Sequence, residues 1–361
     1  MRFRNIAFII LLVVELGLLV FFSIKKMDHV VNKITSITLT VVILFVSGWM
    51  MLFPPYKELS PTGNYEVAYI SENYVDENRI EEFLNDGSKR ELQVGIWYPK
   101  NINKECPYVV FSHGSFGTID NNKTLCVELA SRGFIVTSIS HTFHAFETVL
   151  SNGKKVSIDS SYMNELMKEN ARKDKEGSLE CYRKWMKLRM DDISFVIDTQ
   201  KNKVDHEVLK YIDSSKIVVM GHSLGGSAAL GIGRVRDDVK AVVALESPFM
   251  YDIVDVQNDE FVLNEEVYPI SCLNVYTDSS YSRLNELPQY KQNYNLLNEN
   301  DDKYVNVYLS GIGHMHLCDF QLTSPFLSMV FSGMDSSNSA KKNLEMVNEV
   351  VIEYLQKQGI M

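Results

Sequence analysis

The sequence has no surplus of positive charge. Its 361 residues include 36 Lys and Arg against 46 Asp and Glu, for a formal net charge of −10. Nucleic-acid backbones are bound by clustered Lys and Arg, so this balance argues against a nucleic-acid partner. The sequence also lacks internal repeats and low-complexity tracts. What remains is an ordinary globular composition, long enough for one large domain or two small ones.

Paired cysteines and clustered metal ligands are also missing. None of the five cysteines forms a C-x-x-C pair, and the odd count rules out a fully paired intramolecular disulfide framework. His141, His144 and Glu147 have only loop-like spacing, with no Cys or Asp cluster beside them, so no metal site is predicted. Gly231-Ile232-Gly233 follows a helical stretch and lacks a third glycine, so no dinucleotide cofactor is predicted.

Two long apolar runs open the chain, Ile6–Ile24 and Ile34–Phe53. Each is close to the ~20 residues that a helix needs to cross a bilayer. The first is too long for a signal peptide and has no A-x-A-like cleavage site. We therefore predict a membrane anchor over residues 1–56 with two transmembrane helices, and a catalytic domain over residues 57–361. Basic residues flank both runs evenly, which leaves the orientation in the membrane open.

The rest of the chain alternates short β-rich runs with amphipathic helical stretches. This alternation predicts an α/β fold with a mostly parallel sheet covered by helices on both faces. The predicted strands include Lys216–Met220, Ala241–Leu245, Cys272–Tyr276 and Val305–Leu309, and the predicted helices include Tyr182–Thr199 and Lys342–Gln356. Residues 153–180 are polar and lack strand signals. They are either a solvated helical excursion or a cap over the active site.

The strongest local signal is Gly221-His222-Ser223-Leu224-Gly225-Gly226, between a predicted strand and a helix of small residues. G-x-S-x-G in that context indicates a nucleophile elbow, whose sharp turn exposes the serine hydroxyl. Ser223 is therefore the predicted nucleophile. An oxyanion hole needs two backbone N–H groups. We expect them from Leu224 and, after Phe111-Ser112-His113-Gly114, from Ser115.

A serine nucleophile needs a base that is oriented by an acid. In this arrangement both follow the serine in the chain, and only His314 and His316 do so among the histidines. His314 is preferred because it lies nearer the turn after a predicted strand. Glu246 and Asp278 each end a strand and compete for the acid role.

Several stretches resemble the plasma-type platelet-activating-factor acetylhydrolases and their bacterial relatives. The resemblance runs from Pro61 to about Phe320. It is carried by Pro61-Thr62-Gly63-Asn64-Tyr65, Ile96-Trp97-Tyr98-Pro99, Phe111-Ser112-His113-Gly114, Leu129-Ala130-Ser131-Arg132-Gly133-Phe134-Ile135-Val136, the elbow, Ala244-Leu245-Glu246, and His314 followed by Asp319-Phe320.

The resemblance implies an α/β-hydrolase fold and a calcium-independent serine esterase that releases short or oxidised acyl chains from phospholipids. It implies a triad of Ser223, His314 and Glu246, with the Leu224 and Ser115 N–H groups as oxyanion hole. The family's acid is Asp, and Glu246 is one methylene longer, so Asp278 stays open as a substitute. The two spans and the bacterial relatives point to a bacterial cell membrane.

Three functions follow as expectations. The first is an ester hydrolase acting on lipids or other small esters without a cofactor. The second keeps the triad but transfers the acyl group to an alcohol or amine, or hydrolyses esters in general as a lipase does. The third is a catalytically silent fold that serves as a membrane-bound binding module. The pattern indicates neither the acyl chain length nor the oligomeric state.

Overall fold

The computed structural model describes residues 2–297 and 303–361. Its main feature is one eight-stranded sheet. The sheet strands are β1 (Val67–Ile80), β2 (Lys89–Pro99), β3 (Cys106–Ser112), β4 (Ile135–Ser140), β7 (Ile212–His222), β8 (Val239–Leu245), β11 (Ser271–Thr277) and β12 (Tyr304–Leu309). They lie side by side in the order β1-β2-β4-β3-β7-β8-β11-β12. The pairs β1–β2 and β2–β4 are antiparallel, and the other pairs are parallel. The predicted mostly parallel α/β sheet is confirmed.

Two further hairpins lie outside the sheet. They are β5 (Glu147–Val149) with β6 (Lys155–Ser157), and β9 (Ile253–Gln257) with β10 (Glu260–Leu263). The helices are α1 (Arg2–Ile24), α2 (Val30–Leu52), α3 (Lys123–Ala130), α4 (Ser160–Lys168), α5 (Lys175–Lys201), α6 (Leu224–Val235), α7 (Lys291–Leu296), α8 (Phe320–Thr323), α9 (Pro325–Ser332) and α10 (Ala340–Lys357).

Both faces of the sheet are covered by helices. Alternate residues of β3 point to opposite faces, as strand geometry requires. Val109 and Phe111 join a core cluster with α3 and α10, whereas Tyr108 and Val110 join another with α5 and α6. The sheet is therefore buried on both sides, which explains why its central strands are almost continuously apolar.

The two N-terminal helices are long and apolar enough to cross a membrane, over Asn5–Ile24 and Val30–Leu52. They contact each other, and the Ser47 hydroxyl donates a 2.7 Å hydrogen bond to Glu15 Oε1. The acidic residue inside the first apolar run thus makes a helix–helix contact, as ionisable groups in such helices usually do. By length and composition these helices match the predicted spans closely; residue 1 of the predicted anchor lies outside the described residues.

The polar segment 153–180 is more ordered than its sequence indicates. It contains β6, which pairs with β5, and the helix α4. Helix α5 begins at Lys175, seven residues before the predicted helix, because Asp174 caps it by accepting a hydrogen bond from the Gly177 N–H. Tyr162 of α4 is completely buried. The segment is therefore packed on the domain.

Candidate active site

Ser223 lies at the sharp turn between β7 and α6. Its backbone has φ 54° and ψ −126°, a region that a non-glycine residue rarely adopts and that a nucleophile elbow imposes on its serine. The turn is tight: a Cβ atom on Gly225 would lie 2.0 Å from the Ser112 carbonyl oxygen, and one on Gly221 would lie 2.3 Å from the Gly225 carbonyl carbon. Only glycine fits at either position. The elbow predicted from the hexapeptide has the expected strand–turn–helix form.

His314 is placed next to this turn by the loop after β12. The 3₁₀ turn His314–Leu317 follows Gly313, and the His314 N–H donates to Ser279 Oγ at 2.9 Å. The His222 ring lies 4.6 Å from the His314 ring, centroid to centroid, and His222 Nε2 is 3.2 Å from the His314 carbonyl oxygen. Since His222 directly precedes Ser223, His314 packs against the residue next to the predicted nucleophile.

Glu246 is the carboxylate that contacts His314. Its Oε2 lies 3.0 Å from His314 Nδ1, and its Oε1 accepts hydrogen bonds from the Thr277 N–H at 3.0 Å and from the Ser280 hydroxyl. Burial raises the pKa of Glu246, but the hydrogen bond and charge of His314, with the bonds from Ser280 and Thr277, lower it to about 2. The side chain is therefore ionised and can hold His314 in one orientation.

The alternative acid, Asp278, and the alternative base, His316, make other contacts. Asp278 accepts hydrogen bonds from the Tyr308 hydroxyl and, at 3.0 Å, from the Gly311 N–H. His316 is buried, its Nδ1 accepts from the Gly313 N–H at 2.9 Å, and burial lowers its pKa. Both therefore shape the loop that carries His314.

The predicted oxyanion-hole residues flank Ser223. Leu224 is the first residue of α6, where backbone N–H groups have no partner within the helix. Ser115 follows β3 in a loop that touches the elbow, since a Cβ on Gly114 would lie 3.2 Å from Ser223 Cβ. His113 Nδ1 lies 2.6 Å from the Gly114 carbonyl oxygen. That contact fixes the peptide group whose N–H belongs to Ser115, because a peptide group is planar.

A second Ser–His–Asp chain, which no sequence motif indicates, is completely buried. Ser112 Oγ lies 2.8 Å from His141 Nε2, and His141 Nδ1 lies 2.9 Å from Asp192 Oδ2. All three residues have zero exposure, so no substrate can reach Ser112. Asp192 also binds Arg90, and this network joins β2, β3, α5 and the residue that follows β4. Both ring nitrogens of His141 thus have hydrogen-bond partners. The part of the chain that is described contains no group of three or more His, Cys, Asp or Glu residues that could hold a metal ion.

The chain is similar in sequence to several known proteins. The sequence profile of the family described as platelet-activating factor acetylhydrolase, isoform II, matches residues 98–360. The platelet-activating factor acetylhydrolase of Cavia porcellus is 22% identical over 270 residues, 72% of this chain and 59% of that protein. Cutinase 2 of Thermobifida cellulosilytica is 28% identical over 171 residues, 47% of this chain and 49% of that one. The chain thus aligns with only about half to three-fifths of the length of these relatives.

The fold is shared with a solved esterase. The ferulic acid esterase from Streptomyces cinnamoneus superposes with a TM-score of 0.60 at 18% identity, covering 82% of this chain and 91% of that one. At that identity the likeness shows the fold alone. It confirms the α/β-hydrolase architecture of the globular part.

Proposed function

The chain belongs to the family of platelet-activating factor acetylhydrolase, isoform II, and on that premise we propose that it cleaves short or oxidised acyl esters of phospholipids or similar lipids. Family membership supports a serine ester hydrolase. The activity, the ester class and the roles of the residues are all part of what we propose. The observation that carries it is the buried Glu246 carboxylate on His314 Nδ1, beside the elbow that presents Ser223.

In this mechanism Ser223 Oγ attacks the ester carbonyl carbon while His314 Nε2 takes the hydroxyl proton. Glu246 fixes the His314 tautomer and stabilises the imidazolium that forms. The N–H groups of Leu224 and Ser115 bind the oxyanion of the tetrahedral intermediate. His314 then gives its proton to the leaving alcohol, which departs as the acyl-enzyme forms. A water molecule, deprotonated by His314, releases the acid and restores Ser223.

Residues 1–56 act as a two-span anchor for the catalytic domain 57–361 in this proposal. Two apolar helices of 20 and 23 residues support it. An anchored enzyme meets lipid esters without a search through solution. The segment 153–180 would then be a packed part of the catalytic domain, since its Tyr162 is buried.

The test is hydrolysis by the detergent-solubilised full chain, without calcium. Short-chain, long-chain and oxidised phosphatidylcholine are compared with an aryl ester, and Ser223→Ala is the control. Turnover limited to short or oxidised chains supports the proposal, whereas turnover of the aryl ester alone contradicts the lipid assignment. Addition of an alcohol or amine acceptor, followed by product analysis, identifies an acyltransferase. Inactivity on every ester would favour a binding module.

A further inference from the structure

Arg189, in the middle of α5, is a guanidinium with zero exposure to solvent. A charge buried this deeply is costly unless it is paired. Yet in the ranges 2–297 and 303–361 no carboxylate lies within ion-pair distance of Arg189. The acid one helical turn later, Asp192, is paired with Arg79, Arg90 and His141. The positive charge of Arg189 is thus not neutralised by direct contact.

The hydrogen bonds of Arg189 lead to the oxyanion-hole loop. Its Nη1 donates to the His113 carbonyl oxygen at 2.7 Å, and its Nε donates to His144 Nδ1 at 3.3 Å. Its Nη2 is buried without a hydrogen-bond partner among the described residues. The His113 carbonyl lies one peptide group before the one that carries the Ser115 N–H. Arg189 therefore holds the backbone that leads into the oxyanion hole.

Tyr162 of α4 contacts the same loop at Ser115. Its hydroxyl lies 3.4 Å from Ser115 Oγ, and its ring stacks on His144 with centroids 3.5 Å apart and planes 3° apart. His144 therefore links Tyr162 to Arg189, since it accepts the Arg189 Nε hydrogen bond and stacks on the Tyr162 ring. Arg189, His144 and Tyr162 form a connected cluster, called the brace below, that contacts the loop at His113 and at Ser115.

Arg189 gives the brace a positive charge, which is the sign that stabilises the transition state of ester cleavage. Negative charge develops on the carbonyl oxygen in the transition state, and fixed positive groups in a water-excluded site favour it without reorganising. We infer that Arg189 is a positioning residue for the proposed reaction: it keeps the Ser115 peptide group in place and favours the anionic tetrahedral state. This rests on the proposed function. Segment 153–180 then has a role in catalysis, because its Tyr162 supports the loop that carries Ser115.

The test compares Arg189→Lys, which keeps the charge, with Arg189→Met, which removes it. Removing a direct oxyanion donor costs about 10²–10³ in kcat, so loss of its support should cost about tenfold. We expect kcat per active site, counted with a fluorophosphonate label, to fall about tenfold in Arg189→Met with KM within about twofold, and to stay within about threefold in Arg189→Lys. The Ki of phenylboronic acid, which forms an anionic tetrahedral adduct with serine, should rise about tenfold in Arg189→Met only.

Lys187→Met is the matched control, because Lys187 is an exposed cation on the same helix; its kcat should not change. If Arg189→Met does not fold, Tyr162→Phe removes only the hydroxyl and should raise the boronate Ki in step with a fall in kcat. An unchanged kcat per labelled site in the variant tested, or equal losses in Arg189→Lys and Arg189→Met, would overturn the inference. Activity in Ser223→Ala would instead overturn the proposed function.

Discussion

Glu246 Oε2 lies 3.0 Å from His314 Nδ1, although the two residues are 68 positions apart in the sequence. Their side chains differ in exposure to solvent. The Glu246 side chain is 1% exposed, and that of His314 is 27% exposed. Glu246 has a φ of 48°, a backbone region that costs a non-glycine residue on the order of 1–3 kcal/mol. The Glu246 N–H donates to the Val275 carbonyl at 2.7 Å, and the Tyr290 hydroxyl donates to the Glu246 carbonyl at 3.1 Å. The backbone around this acid is therefore firmly held.

The identity of the acid can be measured with two amide substitutions. Glu246→Gln should lower kcat by about 10⁴, because the amide no longer holds the productive His314 tautomer or stabilises its charged form. Asp278→Asn should leave kcat within about threefold, because Asp278 contacts Tyr308 and Gly311. Steady-state kinetics on an aryl ester compares them. A large loss in Asp278→Asn with little change in Glu246→Gln would exchange the two roles.

The carboxyl group of Asp319 should make the free energy of unfolding depend on pH. Burial raises the pKa of its carboxyl from 3.8 to about 7, against hydrogen bonds from Thr124. The unfolded chain ionises this group near pH 3.8 while the folded chain keeps the proton, so the folded state loses stability as pH rises towards 7. Asp319→Asn cannot ionise. Its free energy of unfolding, relative to that of the unsubstituted chain, should therefore increase between pH 4 and pH 7, as measured by denaturant titration in detergent. If the difference in free energy of unfolding between the two chains does not vary with pH, this prediction is wrong.

The two N-terminal helices should remain on the chain and hold it in the membrane. Alkaline carbonate should leave the full chain in the membrane pellet, because two apolar spans are not released by salt or charge reversal. Intact-mass measurement of the same sample should show that α1 is still present. A mature chain beginning after residue 24 would mean that the first helix is a cleaved signal sequence. Release by carbonate would mean peripheral attachment.

The sequence predicts best what depends on local pattern. Apolar runs and glycines mark the turn around Ser223, and strand ends mark Glu246 and the loop of His314. Strand β1 is not predicted, because this sheet-edge strand is rich in polar residues and shows no clear alternation of apolar and polar positions. The predicted strand cores agree with β7, β8, β11 and β12, although their ends shift by up to four residues.

Local sequence patterns do not predict contacts between segments that are distant in the chain. Ser112, His141 and Asp192 come from three separate segments of the chain, and no spacing rule connects them. Arg189 lies on α5 between Met186 and Met190, which are both buried. A charged residue beside such residues is normally expected in solvent. Only the fold shows that its guanidinium reaches the His113 carbonyl.

The most direct test of the central claim is the site of covalent modification by a fluorophosphonate. The probe should label the native full chain once, and peptide mapping should place the adduct on Ser223, because only an activated serine reacts. Ser223→Ala should lose labelling and about 10⁶ in kcat while keeping the unfolding midpoint of the parent chain. An adduct on another serine, or undiminished ester hydrolysis by Ser223→Ala, would contradict the account.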